Sequence, residues 1–144
     1  MAAVDWLRIK RQAHSLYGRR LLYQPIEHPA FNGWTVARRC RDRLESILKT
    51  LYPVKGKRGL DVGSCTGWFC HRLAERGAEM VGVELNPTRV EISRAVSRSR
   101  GLTAANPSSN NSGHEAYLKP GRRFDFALFL SLLQHYMRRS VREA

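Results

Sequence analysis

The chain has 144 residues, a size at which one compact domain is expected. Its formal charge is +13, with 25 Lys and Arg against 12 Asp and Glu, and its mean hydropathy is −0.44, as in a globular, strongly basic protein. No apolar run approaches the roughly 20 residues of a membrane-spanning helix, and three cysteines are too few for a disulfide framework. We therefore expect a soluble, intracellular protein of the cytoplasm that does not enter a membrane.

The first predicted unit, residues 1–58, is a basic helical extension. Apolar side chains recur at steps of three and four residues from Val4 to Leu22 and again from Thr35 to Leu51, which is typical of amphipathic helices. This unit carries 13 of the 25 basic side chains but 4 of the 12 acidic ones. Such an excess can attract the phosphates of RNA or another acidic partner. The alternative is a solvated helix face that keeps the protein soluble.

The second predicted unit, residues 59–144, begins with an alternation of strands and helices. Its first elements are a strand at Leu60–Val62, a turn at Gly63–Gly67, a helix at Trp68–Arg76, a strand at Glu79–Glu84 and a helix from Thr88. This order indicates a right-handed unit with parallel strands.

The rest of the second unit is predicted to hold one more strand. Residues 101–121 give the weakest signal, and within them Asn106–Gly113, rich in Asn and Ser, predicts a mobile loop. Phe124–Leu130 is apolar and predicts a buried strand, and a closing helix is expected from Ser131 onward. The sequence therefore predicts an α/β fold with a mostly parallel sheet, preceded by N-terminal helices.

The turn after the first strand of this unit indicates a ligand site. Gly63 and Gly67 let the backbone approach a ligand closely, and Glu84, at the end of the next strand, can accept both hydroxyl hydrogens of a ribose. A dinucleotide fingerprint starting at Gly63 would need glycine at position 65 and glycine or alanine at position 68, where this chain has Cys65 and Trp68. A nicotinamide-dependent oxidoreductase is therefore disfavoured, and an adenosine-type ligand remains.

The pattern acid-x-Gly-x-x-x-Gly from Asp61 to Gly67, followed by Glu84, resembles the class I S-adenosylmethionine-dependent methyltransferases. The resemblance covers Leu60–Pro87 and resumes at Phe124–Ser131, which is similar to the fourth strand of that family. It implies a Rossmann-like three-layer sandwich, a seven-stranded sheet and S-adenosylmethionine as cofactor. The chain is expected to be truncated after the fourth strand, so the second unit would be a partial methyltransferase domain.

The same resemblance implies roles for individual residues. Asp61, Gly63 and Gly67 would hold the methionine portion of the cofactor, and Glu84 would bind the ribose hydroxyls. The remaining positions that the resemblance assigns to the cofactor site are Ser64, Cys65, Leu85, Leu130 and Ser131, the last two near the reacting end. No residue between Gly101 and Arg123 matches the position that reads adenine in the family.

Catalysis and metal binding have few candidates in this sequence. His135 follows the predicted fourth strand and can orient or deprotonate an acceptor, but the alternative is a histidine that packs on a terminal helix. Cys65 and Cys70 do not have the spacing of a common structural zinc site, so no metal site is predicted.

Two functions from different classes fit the sequence. The first is a methyltransferase that moves the sulfonium methyl group to an unidentified acceptor, with RNA as one candidate. The second is a non-catalytic, methyltransferase-like binding module or fragment that docks on a partner. An apolar strand at an exposed sheet edge also predicts self-association.

Overall fold

The computed structural model describes residues 3–102 and 121–130 and the backbone of residues 105–109. Its helices are α1 (Trp6–Tyr17), a 3₁₀ helix (Pro29–Phe31), α2 (Cys40–Leu51), α3 (Trp68–Ala74) and α4 (Pro87–Ser99). Its strands are β1 (Leu21–Leu22), β2 (Thr35–Val36), β3 (Arg58–Val62), β4 (Glu79–Glu84), β5 (Ala105–Ser109) and β6 (Phe126–Leu128). None of the helices in these residues is long and apolar enough to span a membrane.

The central element is a parallel sheet with the strand order β5–β4–β3–β6. Asp61 in β3 lies between Gly82 of β4 and Leu128 of β6. The chain runs outward from β3 through β4 to β5 and then returns to the other side of β3. The predicted α/β fold with a parallel sheet is therefore confirmed, and the strand order reverses beside β3, where open sheets of this kind bind ligands.

The N-terminal helices are shorter than predicted because a second, two-stranded sheet interrupts them. The first ends at Tyr17 and not at Leu22, since Gly18 and Arg20 adopt positive φ angles of 91° and 54°. The second begins at Cys40 and not at Thr35. The intervening β1 and β2 pair in parallel, a non-local contact that helical periodicity cannot reveal.

The loop predicted at Asn106–Gly113 overlaps a strand. Ala105–Ser109 pairs in parallel with β4, so the prediction of a loop was wrong for residues 106–109, and the rest of the predicted loop lies outside the described residues. Pro107 fits this position because β4 is the one neighbour of β5 among the described strands, and an edge strand tolerates a missing N–H donor. The strand predicted at Phe124–Leu130 is also shorter, at Phe126–Leu128.

Within the described residues, apolar side chains form two large clusters and one small one. The first packs α2 and α3 against the sheet and includes Leu44, Phe69 and Met80. The second packs α1 against α4 and includes Ile9, Ala13 and Ile92. A smaller cluster consists of Leu60, Val62 and Val83. Both N-terminal helices thus share cores with elements that follow residue 58, and the proposed division into units at this point stays a prediction.

Candidate cofactor-binding site

The turn between β3 and α3 has an unusual backbone. Gly63, Cys65 and Gly67 all have positive φ, at 75°, 56° and 79°. Glycine adopts this left-handed conformation freely, whereas cysteine does so at a cost. The turn therefore folds tightly over the carboxyl end of β3, at the place where the sheet reverses its strand order.

The N–H groups of this turn donate inside the protein. Those of Gly63 and Ser64 both bond to the carbonyl oxygen of Val83, at 2.8 and 3.0 Å. Others donate to Glu84 Oε2 (from Cys65, 3.0 Å), to the Ser64 carbonyl (from Gly67, 2.9 Å) and to Gln24 Oε1 (from Trp68, 3.2 Å). A pyrophosphate needs free backbone donors at this place. The turn is therefore better suited to a nucleoside ligand without a pyrophosphate.

Glu84 lies where the sequence placed it, at the end of β4 beside the turn. Its Oε2 accepts from the Cys65 N–H, and its Oε1 accepts from the Asn86 N–H at 2.9 Å. These two bonds fix the direction of the carboxylate, which is 7% exposed and whose Oε2 is also 3.7 Å from Arg89 Nη1, so a ribose would use its remaining lone pairs. Leu85, the next residue, is 65% exposed, so its apolar side chain is available to an aromatic ring. The pair fits a ribose and its attached base.

Asp61 lies beneath the turn and is 1% exposed. Burial raises the pKa of Asp61 to about 7, and Cys70 Sγ, in α3, is 3.6 Å from its Oδ2. The carboxyl group is therefore enclosed between β3 and α3 in this conformation. Its predicted contact with the methionine portion of a cofactor stays a prediction.

Ser64 lies against the sheet rather than above it. A Cβ added at Gly82 would come within 2.8 Å of Ser64 Oγ, so the serine fills the space that the glycine leaves. Within the described residues, Ser64 Oγ is buried and has no hydrogen-bond partner. Gly82 thus allows the turn to pack closely against β4, a requirement that the sequence did not reveal.

Three residues that precede the four-stranded sheet in the chain contribute to the site and were not predicted to do so. Tyr17, at the end of α1, places its hydroxyl 3.2 Å from Cys65 Sγ. Gln24 is buried and accepts the Trp68 N–H at the start of α3. Glu27 accepts from the Trp68 indole N–H at 3.2 Å and pairs with Arg72 at 2.9 Å. Of these three residues, only Tyr17 belonged to a recognisable sequence pattern, the periodicity of a helix. Contacts between residues about 45 positions apart leave no local pattern in the sequence.

Glu27 is ionised although it is partly enclosed. Burial disfavours its charged form, but the Trp68 indole N–H and then the guanidinium groups of Arg72 and Arg100 lower its pKa below the usual value. Arg41 also approaches it, at 3.4 Å. This carboxylate therefore links the segment after β1 to α2, α3 and the end of α4.

The remaining predicted site residues are less informative. Leu130 is half-buried and packs against the cluster around α3. Ser131 and His135 lie outside the described residues. Cys65 Sγ lies near Tyr17 and Cys70 Sγ near Asp61, and the part of the chain that the structure describes holds no group of three His, Cys, Asp or Glu side chains suited to a metal ion.

Part of the chain is similar in sequence to known proteins. A family model described as a methyltransferase domain matches residues 34–137. A ubiquinone biosynthesis O-methyltransferase of Cereibacter sphaeroides is 30% identical over 83 residues, which are 58% of this chain and 32% of that protein. A protein of the same name in Azorhizobium caulinodans is 31% identical over 87 residues, 60% of this chain and 33% of that protein. The chain thus spans about a third of the length of these curated relatives.

Solved structures are similar in fold over 60% to 92% of the chain. The crystal structure of WbdD has a TM-score of 0.71 and 25% identity, and the match covers 92% of this chain and 30% of that one. The YcgJ protein of Bacillus subtilis has a TM-score of 0.54 and 21% identity, covering 60% of this chain and 36% of that one. A Trypanosoma brucei PRMT1 enzyme–prozyme complex with AdoHcy has a TM-score of 0.53 and 24% identity, covering 62% of this chain and 28% of that one.

Proposed function

Because this chain belongs to the methyltransferase domain family, we propose that it holds S-adenosylmethionine across the carboxyl ends of β3 and β4 and donates the methyl group to an acceptor oxygen. The observation that carries the proposal is the Glu84 carboxylate, fixed by the N–H groups of Cys65 and Asn86 at the edge of a turn whose own donors face inward. This arrangement suits ribose hydroxyls and offers little to a pyrophosphate.

Bound S-adenosylmethionine would supply a sulfonium methyl group that is already activated for in-line displacement. The protein then has mainly to position the reactants. Glu84 would accept the ribose hydroxyls, Leu85 would cover one face of the base, and the turn from Gly63 to Gly67 would let the cofactor approach the backbone. The S–CH3 bond would break as the O–CH3 bond forms, with S-adenosylhomocysteine as the leaving group. An acceptor hydroxyl must also lose its proton, and we propose that solvent water takes it, since no described residue is assigned to that step.

The oxygen acceptor is argued from the relatives named as ubiquinone biosynthesis O-methyltransferases. Since the chain spans about a third of their length, the acceptor and the activity of the chain are both part of the proposal. A hydroxyl on an aromatic ring is the acceptor class that we propose first.

RNA is a second acceptor class, and a groove on α1 supports it. This α1 groove has a volume of about 480 Å³ and is lined by Leu7, Lys10, Arg11, His14 and Trp34. Trp34 packs edge-on against Phe31 with 5.1 Å between ring centroids, which supports the indole as a platform for a base. Lys10 and Arg11 are exposed and would neutralise neighbouring phosphates.

Thermal unfolding with a panel of ligands tests the cofactor. S-adenosylmethionine and S-adenosylhomocysteine are expected to raise the unfolding midpoint, because they bind the folded state alone, while NADH is expected to leave it unchanged. A rise with NADH and none with S-adenosylhomocysteine would overturn the proposal.

Transfer of a tritiated methyl group tests the acceptor. We expect label on a simple catechol in preference to total RNA. Label on RNA that is lost in Trp34→Ala would favour the second acceptor class. Cofactor binding without transfer to either would favour the alternative of a non-catalytic binding module.

A further inference from the structure

Cys65 is held in a conformation that a cysteine does not adopt without support. Its φ of 56° lies in the left-handed region, which is unfavourable for a residue with a Cβ. Two contacts fix it from opposite ends of the residue. Its N–H donates to Glu84 Oε2 at 3.0 Å, and its Sγ lies 3.2 Å from the Tyr17 hydroxyl, within hydrogen-bond distance.

The Tyr17–Cys65 contact belongs to a closed ring of interactions. The Arg89 guanidinium lies 5.6 Å from the centre of the Tyr17 ring, and its Nη1 is 3.7 Å from Glu84 Oε2. Glu84 in turn accepts from Cys65. This closed set of contacts joins α1, the β3–α3 turn, β4 and α4 around the carboxylate that is proposed to hold the ribose. Its four residues are Tyr17, Cys65, Glu84 and Arg89.

The Tyr17–Cys65 contact is a neutral one. Burial raises the pKa of the Tyr17 hydroxyl, and burial also raises the pKa of the Cys65 thiol. Both groups therefore keep their protons at neutral pH, and either one can donate to the other. A neutral hydrogen bond between two largely buried groups is directional and is not weakened by salt.

Helix α1 is anchored so that Tyr17 reaches the turn. Arg8 and Gln12 both bond to the Glu91 carboxylate on α4. Ile9 and Ala13, on the same helix, are buried in the cluster that α1 shares with α4. The helix therefore lies along α4, and its last residue extends to the cofactor turn.

We infer that Tyr17 is a positioning residue of the cofactor site, which acts through Cys65 to hold the turn and Glu84 in the geometry that binds the nucleoside. The inference rests on the proposed function, since it concerns the same site. It follows that α1 is a third wall of the site and that its docking is linked to cofactor binding. A glycine at position 65 would relax the backbone strain of the turn, but it would lose the contact with Tyr17 that links the turn to α1.

A double-mutant cycle on Tyr17 and Cys65 tests the inference, with S-adenosylhomocysteine titrated calorimetrically into the full chain. Tyr17→Phe removes only the hydroxyl and is expected to weaken binding roughly two- to tenfold, the range for one hydrogen bond. Cys65→Ala is expected to do the same, and the double variant to bind no more weakly than the single ones. Cys65→Ser retains a hydrogen-bonding group and is expected to bind much as the wild type does. Tyr52→Phe is the control, since Tyr52 is 81% exposed.

Two further readouts separate positioning from plain stability. The unfolding midpoint of each variant without ligand reports stability, and a merely structural Tyr17 would change that midpoint without changing the affinity of the folded protein. Alkylation of Cys65 by iodoacetamide, located by mass spectrometry, is expected to be faster in Tyr17→Phe than in Tyr52→Phe.

The outcomes distinguish this inference from the proposed function. If the wild type binds S-adenosylhomocysteine and Tyr17→Phe binds it equally tightly, the positioning role is wrong and the proposed function stands. If the folded wild type does not bind the compound, the proposed function is wrong and the inference falls with it.

Discussion

Gly67 packs directly against Ser93, so closely that a Cβ added at position 67 would overlap the serine hydroxyl. The contact joins the first residue of the turn-to-helix transition to the middle of α4. Gly67 also has a φ of 79°, which a residue with a side chain rarely adopts. The position of α4 over the β3–α3 turn therefore depends on the absence of a side chain here.

Gly67→Ala is expected to destabilise the protein by about 2–5 kcal/mol, the sum of the left-handed backbone cost and of overpacking. Gly33→Ala is a matched control, because Gly33 has a φ of 78° and open space around its Cβ position. It is expected to lose only the backbone part, roughly 1–2 kcal/mol. Urea unfolding followed by circular dichroism measures both. Equal losses would contradict the account of this contact.

Glu27→Gln is expected to lower the free energy of unfolding by about 1–3 kcal/mol, because the charge faces Arg72 and Arg100 and its side chain is only 23% exposed. Asp42→Asn removes a surface pair with Arg39, 2.7 Å long but largely exposed, and is expected to cost less than about 1 kcal/mol. The two variants are compared by urea unfolding at one ionic strength. A larger loss in Asp42→Asn would refute the role given to Glu27.

Asp61→Asn is expected to change how stability depends on pH. Burial raises the pKa of Asp61 from 3.8 to about 7, so the folded state holds this proton more tightly than the unfolded state. The contribution of Asp61 to stability is thus fully present below about pH 4 and is lost as the pH rises to about 7. The difference between Asp61→Asn and the wild type should therefore shift in favour of the variant over that window and then stay constant.

His71 acts in the opposite direction and must be separated from Asp61. Burial lowers the pKa of His71 from 6.5 to about 4, so its contribution is lost as the pH falls through that range. Since both variants of the comparison contain His71, its effect cancels in the difference. Unfolding midpoints from about pH 4 to about pH 8 give that difference, and Glu79→Gln, an exposed site on β4, is the control. Parallel profiles for Asp61→Asn and wild type would contradict the enclosed position of the carboxyl group.

The parallel sheet was predictable because its strands carry local signals. Leu60–Val62 and Glu79–Glu84 are apolar runs with glycine or Asn–Pro turns at their ends, and both strands were found there. Ala105–Ser109 was missed, since Asn, Pro and Ser favour loops and the strand is formed by pairing with β4. The sheet of β1 and β2 was missed for a different reason: each of its strands has two residues, too few to show an alternating pattern.

The candidate site was predictable where one segment carries it. Gly63, Gly67 and Glu84 lie on a single strand–turn–helix–strand unit, and their spacing places them at one edge of the sheet. Tyr17 and Gln24 come from far earlier in the chain, and nothing in their neighbourhood indicates the turn that they contact. Such contacts depend on how α1 docks on α4, which only the folded chain reveals.

Calorimetric titration with S-adenosylhomocysteine, applied to the wild type, Glu84→Ala and Glu79→Ala, tests the central claim most directly. Glu79 is on the same strand but exposed, so it controls for the loss of a carboxylate. Circular dichroism of each variant establishes that it is folded. The account predicts micromolar binding by the wild type and by Glu79→Ala, weakened in Glu84→Ala by about 1–3 kcal/mol. No detectable binding by the folded wild type, or equal affinity in folded Glu84→Ala, would contradict it.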